Sequence, residues 1–251
     1  MSLQFKLKTE KIDEIRSFLE RFKKISQTLL LEISSDLIVA KTYTPDKGFI
    51  KKSQVEISGI GEFENAPDMT IKVPFFNIDR VMKNIDLLPK GETTILFHCE
   101  KAKESYLASR VHFVGESLTI INACTEMDYV VSLGDQIYEN IIRSAEKGAQ
   151  FTLHKLQIKK MISLFDIDSA EKTVSIRFDK ESERLHIFND LYDYQIPEEV
   201  HGSLGNTIKI KKEYLSYLGD DTYRVNLSED KMIAHSTESD TTSIIGVVYE
   251  D

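Results

Sequence analysis

Long apolar runs are missing from this sequence. Its unbroken apolar stretches, such as Leu29–Leu31, fall far short of the roughly 20 residues that a membrane-spanning helix needs. The N-terminal segment MSLQFKLKTEK also contains no apolar signal core. We therefore expect an intracellular protein that has no membrane partner.

Cysteine is scarce. Cys99 and Cys124 are the two cysteines, both lie in predicted strands, and neither belongs to a CxxC motif or to a cluster of cysteine and histidine. We interpret both cysteines as small buried hydrophobic residues in a reducing compartment, rather than as redox or metal-binding groups. We expect neither a metal nor a cofactor.

Catalytic motifs are also missing. The sequence contains no GxxxxGK[ST], no GxGxxG after a strand, no HExxH and no GxSxG. Asp166 with Asp168, and Asp220 with Asp221, could supply paired carboxylates for metal binding or acid–base chemistry. Both pairs follow predicted helices, where turn geometry favours aspartate, so we interpret them as structural. We expect a protein that is not an enzyme.

Charge is abundant and predominantly acidic. The 251 residues are 41% hydrophobic and 29% charged, which is typical of a folded chain with a large core, and the net charge is −9. An acidic chain is not a uniformly basic nucleic-acid binder. It can still carry a positive face.

A fourfold internal repeat organises the chain. Four stretches align without gaps: FKLKTEKIDEI from Phe5, IKVPFFNIDRV from Ile71, FTLHKLQIKKM from Phe151 and IKIKKEYLSYL from Ile208. The first, third, eighth and eleventh positions are apolar in every copy. Apolar residues two apart indicate a strand with one buried face, and those three apart indicate a helix with one buried stripe. Each copy is therefore predicted to be a strand that runs into a helix.

Three strand-like segments follow each copy of the repeat. Turn-forming residues, for example Pro45–Gly48 and Gly115–Glu116, separate them. The sequence predicts four β-α-β-β-β units and hence an α+β protein. The acidic stretch 125–149 lies outside the pattern, so we predict an N-terminal domain over 1–124, a connector over 125–149 and a C-terminal domain over 150–251.

The predicted helices differ in charge from the rest of the chain. They span residues 8–24, 76–90, 154–166 and 209–217, and together they carry a net charge of +7, which leaves −16 for the remainder. Lysine and arginine are good helix formers, so each helix alone could simply present a solvated face. Four equivalent positive helices in an acidic chain favour contact with a nucleic-acid backbone.

These features resemble one family, the DNA polymerase sliding clamps, and within it the phage T4-type and PCNA-like clamps that have two domains per subunit. The resemblance covers the chain from Phe5 to Tyr249 and rests on the fourfold repeat, the connector, the length and the basic helices. The stretch HKLQIKKMISLFDIDSAEKTVSIRFDKESERLHIFN is similar to the opening of a clamp's second domain.

The resemblance implies a ring of twelve repeat units. Since each chain has four units, three chains complete the ring as a homotrimer. Such a ring encircles double-stranded DNA without reading its sequence and tethers a DNA polymerase to raise its processivity. An ATP-dependent clamp loader would be a further partner. The location would be the cytoplasm, that of the host if a phage encodes the protein, or the nucleus in a eukaryote. Two alternatives stay open: an adaptor with the same fold that binds proteins but not DNA, and a monomeric processivity factor bound to DNA.

The resemblance also assigns candidate residues. The DNA-binding candidates are the basic residues on the polar positions of the helices: Lys11, Arg16, Arg21, Lys24, Arg80, Lys83, Lys155, Lys159, Lys160, Lys211 and Lys212. The partner-binding candidates lie near the connector and the C-terminal strand: Val130, Val131, Ile245, Val247 and Tyr249.

Overall fold

A computed structural model describes residues 3–144, 148–167 and 170–249 of the chain. The strands are β1 (Leu3–Thr9), β2 (Leu29–Ile33), β3 (Leu37–Tyr43), β4 (Phe49–Glu56), β5 (Glu62–Phe63), β6 (Ile71–Phe75), β7 (Thr93–Lys101), β8 (Tyr106–Val114), β9 (Thr119–Ala123), β10 (Ala149–Leu153), β11 (Thr173–Asp179), β12 (Arg184–Phe188), β13 (Asp193–Gln195), β14 (Ile208–Lys211), β15 (Tyr223–Leu227), β16 (Lys231–Ser236) and β17 (Thr241–Gly246). The helices are α1 (Ile12–Glu20), α2 (Ile57–Ile60), α3 (Ile78–Ile85), α4 (Asp135–Arg143), α5 (Lys155–Phe165) and α6 (Glu213–Leu218), and a 3-10 turn covers Met127–Tyr129.

The predicted repeat is confirmed. β1 leads into α1, β6 into α3, β10 into α5 and β14 into α6, and three strands follow each of these helices. The α+β prediction is therefore correct. The sequence did not predict α2, β5, the 3-10 turn or α4, because these short elements lie outside the repeated spacing.

The chain divides into two compact units, of which the first contains the described residues up to Tyr43 together with Lys52–Leu133. In its sheet, β2 lies between β3 and β6, β6 runs parallel to β8, and β7 lies between β8 and β1. α1 and α3 pack side by side against this sheet. Their apolar stripes, which include the buried Phe18 and Val81, join strand residues such as Leu7 in one core.

The second unit contains Thr44–Lys51 and the described residues from Gly134 onwards. β10, β15, β16 and β17 lie in sequence as antiparallel neighbours, and a separate four-stranded sheet has the order β13-β12-β11-β14. α5 and α6 pack beside each other. The predicted connector 125–149 holds the 3-10 turn and α4, and the division between the units falls at Gly134.

A buried lysine supports α6 in the second unit. Lys51 is 2% exposed, and its ammonium group donates hydrogen bonds to the carbonyl oxygens of Tyr217, at 2.5 Å, and Leu218, at 3.2 Å. The last carbonyl groups of a helix have no partner within the helix, and a cation near them interacts favourably with the helix dipole. Lys51 therefore satisfies the C-terminal end of the short helix α6.

The substitution Lys51→Met tests this role. It keeps the apolar stem but removes the Lys51 hydrogen bonds to the carbonyl groups of Tyr217 and Leu218, of which Leu218 still accepts from the Tyr223 hydroxyl. We expect the free energy of unfolding to fall by about 1–3 kcal/mol. Urea unfolding followed by circular dichroism measures the change. The matched control is Lys180→Met on the exposed β11–β12 turn, which should change stability little. Equal effects of the two substitutions would contradict the assigned role.

Candidate nucleic-acid interface

In the first unit, α1 and α3 turn their apolar residues inward and their charged residues outward. α1 buries Ile12, Ile15, Phe18 and Leu19, and α3 buries Ile78, Val81, Met82 and Ile85. Asn77 starts α3, because its side-chain oxygen accepts a hydrogen bond of 2.9 Å from the backbone N–H of Arg80. Arg16 lies on the polar side of α1, and Arg80 and Lys83 lie on that of α3, but α1 is shorter than predicted, so Lys11 precedes it and Arg21 and Lys24 follow it.

Carboxylates within the first unit already neutralise some of these cations. Arg16 lies 2.5 Å from Asp86, which follows α3, and 2.7 Å from Glu20 on its own helix. Both hydrogen bonds raise the pKa of Arg16. Lys23, which was not among the candidates, lies 3.4 Å from Asp79 of α3. These ion pairs hold α1 and α3 together as well as lowering the net charge of their surface.

The remaining candidates of the first unit differ in their surroundings. Lys11 precedes α1 and donates a hydrogen bond of 2.9 Å to the carbonyl oxygen of Gly59. Arg21 donates to the Ser53 hydroxyl at 2.8 Å, and Lys24 is exposed. Arg80 and Lys83 lie exposed on α3, and neither makes an ion pair with a carboxylate in the described part of the chain. α3 thus presents two exposed cations that no carboxylate of the described residues neutralises.

In the second unit, α5 carries three exposed lysines: Lys155 and Lys159 are one turn apart, and Lys160 follows Lys159 directly. Ile158, Met161 and Phe165 form its buried stripe, which leaves Lys155, Lys159 and Lys160 on the outer side. Lys155 lies 3.6 Å from Glu238, Lys159 lies 3.1 Å from Asp220, and the Lys160 ammonium lies 5.5 Å from the centre of the Tyr194 ring. Each lysine of this helix therefore has a partner from another segment.

Lys211 and Lys212 were predicted to lie on the fourth helix, but the structure places both directly before α6. β14 extends through Lys211 because this strand pairs with β11, in the register Thr173 opposite Lys211, and α6 begins only at Glu213. Lys212 donates a hydrogen bond of 3.2 Å to the carbonyl oxygen of Phe165 at the end of α5. Both lysines are half-buried, so they are less accessible than the lysines of α5.

Lys211 is bound to a carboxylate that is itself fixed in place. Asp46 accepts hydrogen bonds from Lys211, from the hydroxyls of Thr44 and Tyr214, both at 2.5 Å, and from the Gly48 N–H at 3.2 Å. Burial alone would raise the pKa of Asp46, but these four donors outweigh burial and hold the pKa far below its ordinary value. Burial and the Asp46 carboxylate also raise the pKa of Tyr214, which keeps its hydroxyl protonated as a donor.

Sequence reasoning found the lysines but not their acidic partners. Asp46, Asp220 and Glu238 lie in turns that are distant in sequence from Lys211, Lys159 and Lys155. No spacing rule links such residues, since only the folded topology brings them together. The net positive charge of the predicted helices therefore overstates the charge that each helix surface presents.

The partner-binding candidates are placed unequally. Val131 is held in the first unit, where its N–H donates to Thr28 and its carbonyl accepts from Thr42, each at 3.3 Å, and Val130 is half-buried beside it. In the second unit Ile245 is fully buried and contributes to the core, so it offers no surface to a partner. Val247 is half-buried and Tyr249 is 72% exposed, which leaves Tyr249 as the most accessible of the five.

The paired carboxylates considered for catalysis show no shared site among the described residues. Asp221 accepts hydrogen bonds from Ser236, at 2.8 Å, and Ser239, at 2.7 Å, and so stabilises a turn, whereas Asp220 faces Lys159. Asp168 lies outside the described residues. Within those residues no group of three or more histidine, cysteine or acidic side chains could hold a metal, and no helix is long and apolar enough to cross a membrane.

The two cysteines are free thiols in the first unit. Cys99 is buried and Cys124 is half-buried. Burial raises the pKa of each thiol to about 12, so both are protonated at neutral pH. A protonated thiol is a poor nucleophile and a poor metal ligand, which agrees with the interpretation of these residues as small hydrophobic side chains.

Comparison with known proteins identifies the fold. No family model matches the sequence, and no curated protein matches it. The structure of the proliferating cellular nuclear antigen (PCNA) of Entamoeba histolytica is similar, with a TM-score of 0.69 and 12% sequence identity over 98% of this chain and 99% of that chain. PCNA of Thermococcus kodakaraensis is similar with a TM-score of 0.68 and 10% identity, over 97% of this chain and 100% of that chain.

The chain therefore has the fold of the PCNA sliding clamps over nearly its whole length. This confirms the PCNA-like resemblance inferred from the repeat at the level of the fold. The resemblance to the phage T4-type clamps stays a prediction.

The Asp46 cluster predicts a specific pH dependence of stability. Because the folded pKa of Asp46 lies below its unfolded value, its contribution is fully present above about pH 4 and is lost as the pH falls further. Asp46→Asn should lower stability at neutral pH and flatten the decline below pH 4, measured as urea midpoints from pH 7 to pH 2. Asp190→Asn, at an exposed turn of the same unit, is the control. If the urea midpoint of Asp46→Asn falls with pH just as that of the parent chain does, Asp46 does not stabilise the fold in this way.

Proposed function

We propose that this protein is a DNA sliding clamp: a homotrimeric ring that encircles duplex DNA and tethers a DNA polymerase. The observation that carries the proposal is the combination of the PCNA fold over 98% of the chain with exposed cations on α3 and α5, which occupy equivalent points of the repeat. The fold alone would suit other roles, and basic helices alone occur on many proteins. Together they favour a protein that holds a polyanion on its helical surface.

Ring closure requires open sheet edges, and each unit offers one. β9 pairs with β8 alone, and β13 pairs with β12 alone, within the described residues. Two other edge strands have additional backbone contacts: Val248 donates to the Lys209 carbonyl of β14 at 2.8 Å, and His201 bridges to Gln150 of β10. Pairing of β9 in one copy with β13 in the next would be a heterologous contact, which closes into a ring when the rotation per copy allows it.

The proposed grip on DNA is electrostatic and carries no sequence information. Exposed lysine and arginine side chains contact phosphates, which position a protein on a duplex without reading its bases. Such contacts release counterions and weaken steeply with salt. A ring that relies on them can stay on the duplex by topology while its individual contacts exchange, and this is what sliding requires.

The proposed role is non-catalytic and depends on protein partners. A polymerase and an ATP-dependent clamp loader would bind the outer surface, for which Tyr249 and the segment around Val130 are the accessible candidates. An adaptor that binds proteins but not DNA would show no salt-dependent affinity for duplex DNA. A monomeric processivity factor would show that affinity without forming a ring.

Charge reversal on α3 tests the proposed DNA contact. The double substitution Arg80→Glu, Lys83→Glu removes two exposed cations without breaking an ion pair described in the structure. We expect affinity for a fluorescein-labelled duplex at about 50 mM salt to fall at least tenfold, and the plot of log affinity against log salt to become shallower. Fluorescence anisotropy at several salt concentrations measures both quantities.

The matched control is Lys101→Glu, Lys103→Glu at the exposed end of β7 and in the turn after it, which changes the net charge by the same amount outside the helices. If both double variants lose the same affinity, the net charge decides binding and the helical surface is not the site. If the parent chain shows no salt-dependent affinity, the clamp proposal itself fails.

A further inference from the structure

Two carboxylates lie directly against the lysines of α5. Glu238 follows β16, and one of its oxygens accepts a hydrogen bond of 3.2 Å from the backbone N–H of Thr222, while the other lies 3.6 Å from the Lys155 ammonium. The hydrogen bond to the backbone fixes this carboxylate in place. Glu238 therefore occupies a defined position beside Lys155.

The second carboxylate reaches the same helix from the end of α6. Gly219 ends that helix with a φ of 91°, a conformation that favours glycine, and this turn directs Asp220 towards α5. One oxygen of Asp220 lies 3.1 Å from the Lys159 ammonium. Glu238 and Asp220 thus pair with two lysines that are one helical turn apart.

Both ion pairs are accessible to solvent. The side chains of Lys155 and Lys159 are 49% and 55% exposed, and those of Glu238 and Asp220 are 42% and 77% exposed. Ion pairs between exposed side chains are weak and are screened by salt. A phosphate oxygen of DNA can consequently take the place of either carboxylate without uncovering a buried charge.

We propose that Glu238 and Asp220 compete with DNA phosphates for Lys155 and Lys159, and thereby limit the strength of the contact that α5 makes with DNA. This inference rests on the proposed function of the helical surface. A lysine that is already neutralised by a carboxylate gains less from a phosphate, and it releases fewer counterions when the phosphate arrives. The competing carboxylates would keep each contact short-lived, as free movement along DNA requires.

The other basic positions show that this arrangement is local. Arg80 and Lys83 on α3 face no carboxylate partner among the described residues, so they are open to phosphate. Lys211 faces Asp46, which four donors fix, so its partner is not easily exchanged. Lys155 and Lys159 are intermediate cases: each has a carboxylate partner, but that partner is exposed to solvent and can be exchanged.

The test uses Asp220→Asn, Glu238→Gln and the double variant in the full chain. Each substitution keeps the shape of the side chain and removes its charge. We expect each to tighten binding to a labelled duplex by about two- to fivefold at low salt, the range that one exposed ion pair can supply. The dependence of affinity on salt should also become steeper, because more counterions are released.

The matched control is Glu181→Gln on the exposed β11–β12 turn, which changes the net charge identically but is not paired with Lys155 or Lys159. A second control combines Asp220→Asn with Lys159→Ala, and here the gain from Asp220→Asn should disappear. Equal tightening by Glu181→Gln, or a gain that persists without Lys159, would overturn the inference while leaving the clamp proposal intact. Absence of salt-dependent DNA binding in the parent chain and in every variant would overturn both.

Discussion

Each of the four repeats must bury an apolar helix stripe against strands while it leaves the opposite side of the helix in water. The spacing of Ile12 and Ile15 in α1, and of Ile78 and Val81 in α3, places these residues in the core beside strand residues such as Leu7. The outer side of each helix is then free to carry charge. Both the proposed DNA contact and its control by carboxylates depend on this division of the helix into two sides.

The charge on that outer side is controlled residue by residue. Arg16, Lys155 and Lys159 face carboxylates, whereas Arg80 and Lys83 face none in the described residues. A protein with a net charge of −9 can therefore present local positive charge and still limit its strength. This balance suits a protein that must hold DNA without binding it tightly at any one place.

The repeated elements could be predicted from the sequence because their signal is local. Strand alternation and helical spacing lie within eleven residues of each other, and the structure has the predicted strands and helices in order. Contacts between distant residues left no such signal. Asp46 reaches Lys211, and Lys51 reaches the carbonyl groups of α6, although at least 165 residues separate the members of each pair in the chain.

The sequence analysis missed isolated short elements and misplaced the end of one strand. Both errors arise because the sequence pattern of a single element covers only a few residues. Isolated short elements such as α4 follow no repeat, so no second copy supports their prediction. The end of β14 was misplaced because lysines in a strand and lysines in a helix give the same local pattern, and only the pairing of Lys211 with Thr173 of β11 distinguishes them.

The most direct test of the ring is the mass of the protein in solution, measured by light scattering at several concentrations and moderate salt. We predict a trimer of about 86 kDa, three times the 28.8 kDa of one chain. A mass of 28.8 kDa at every concentration would contradict a stable closed ring.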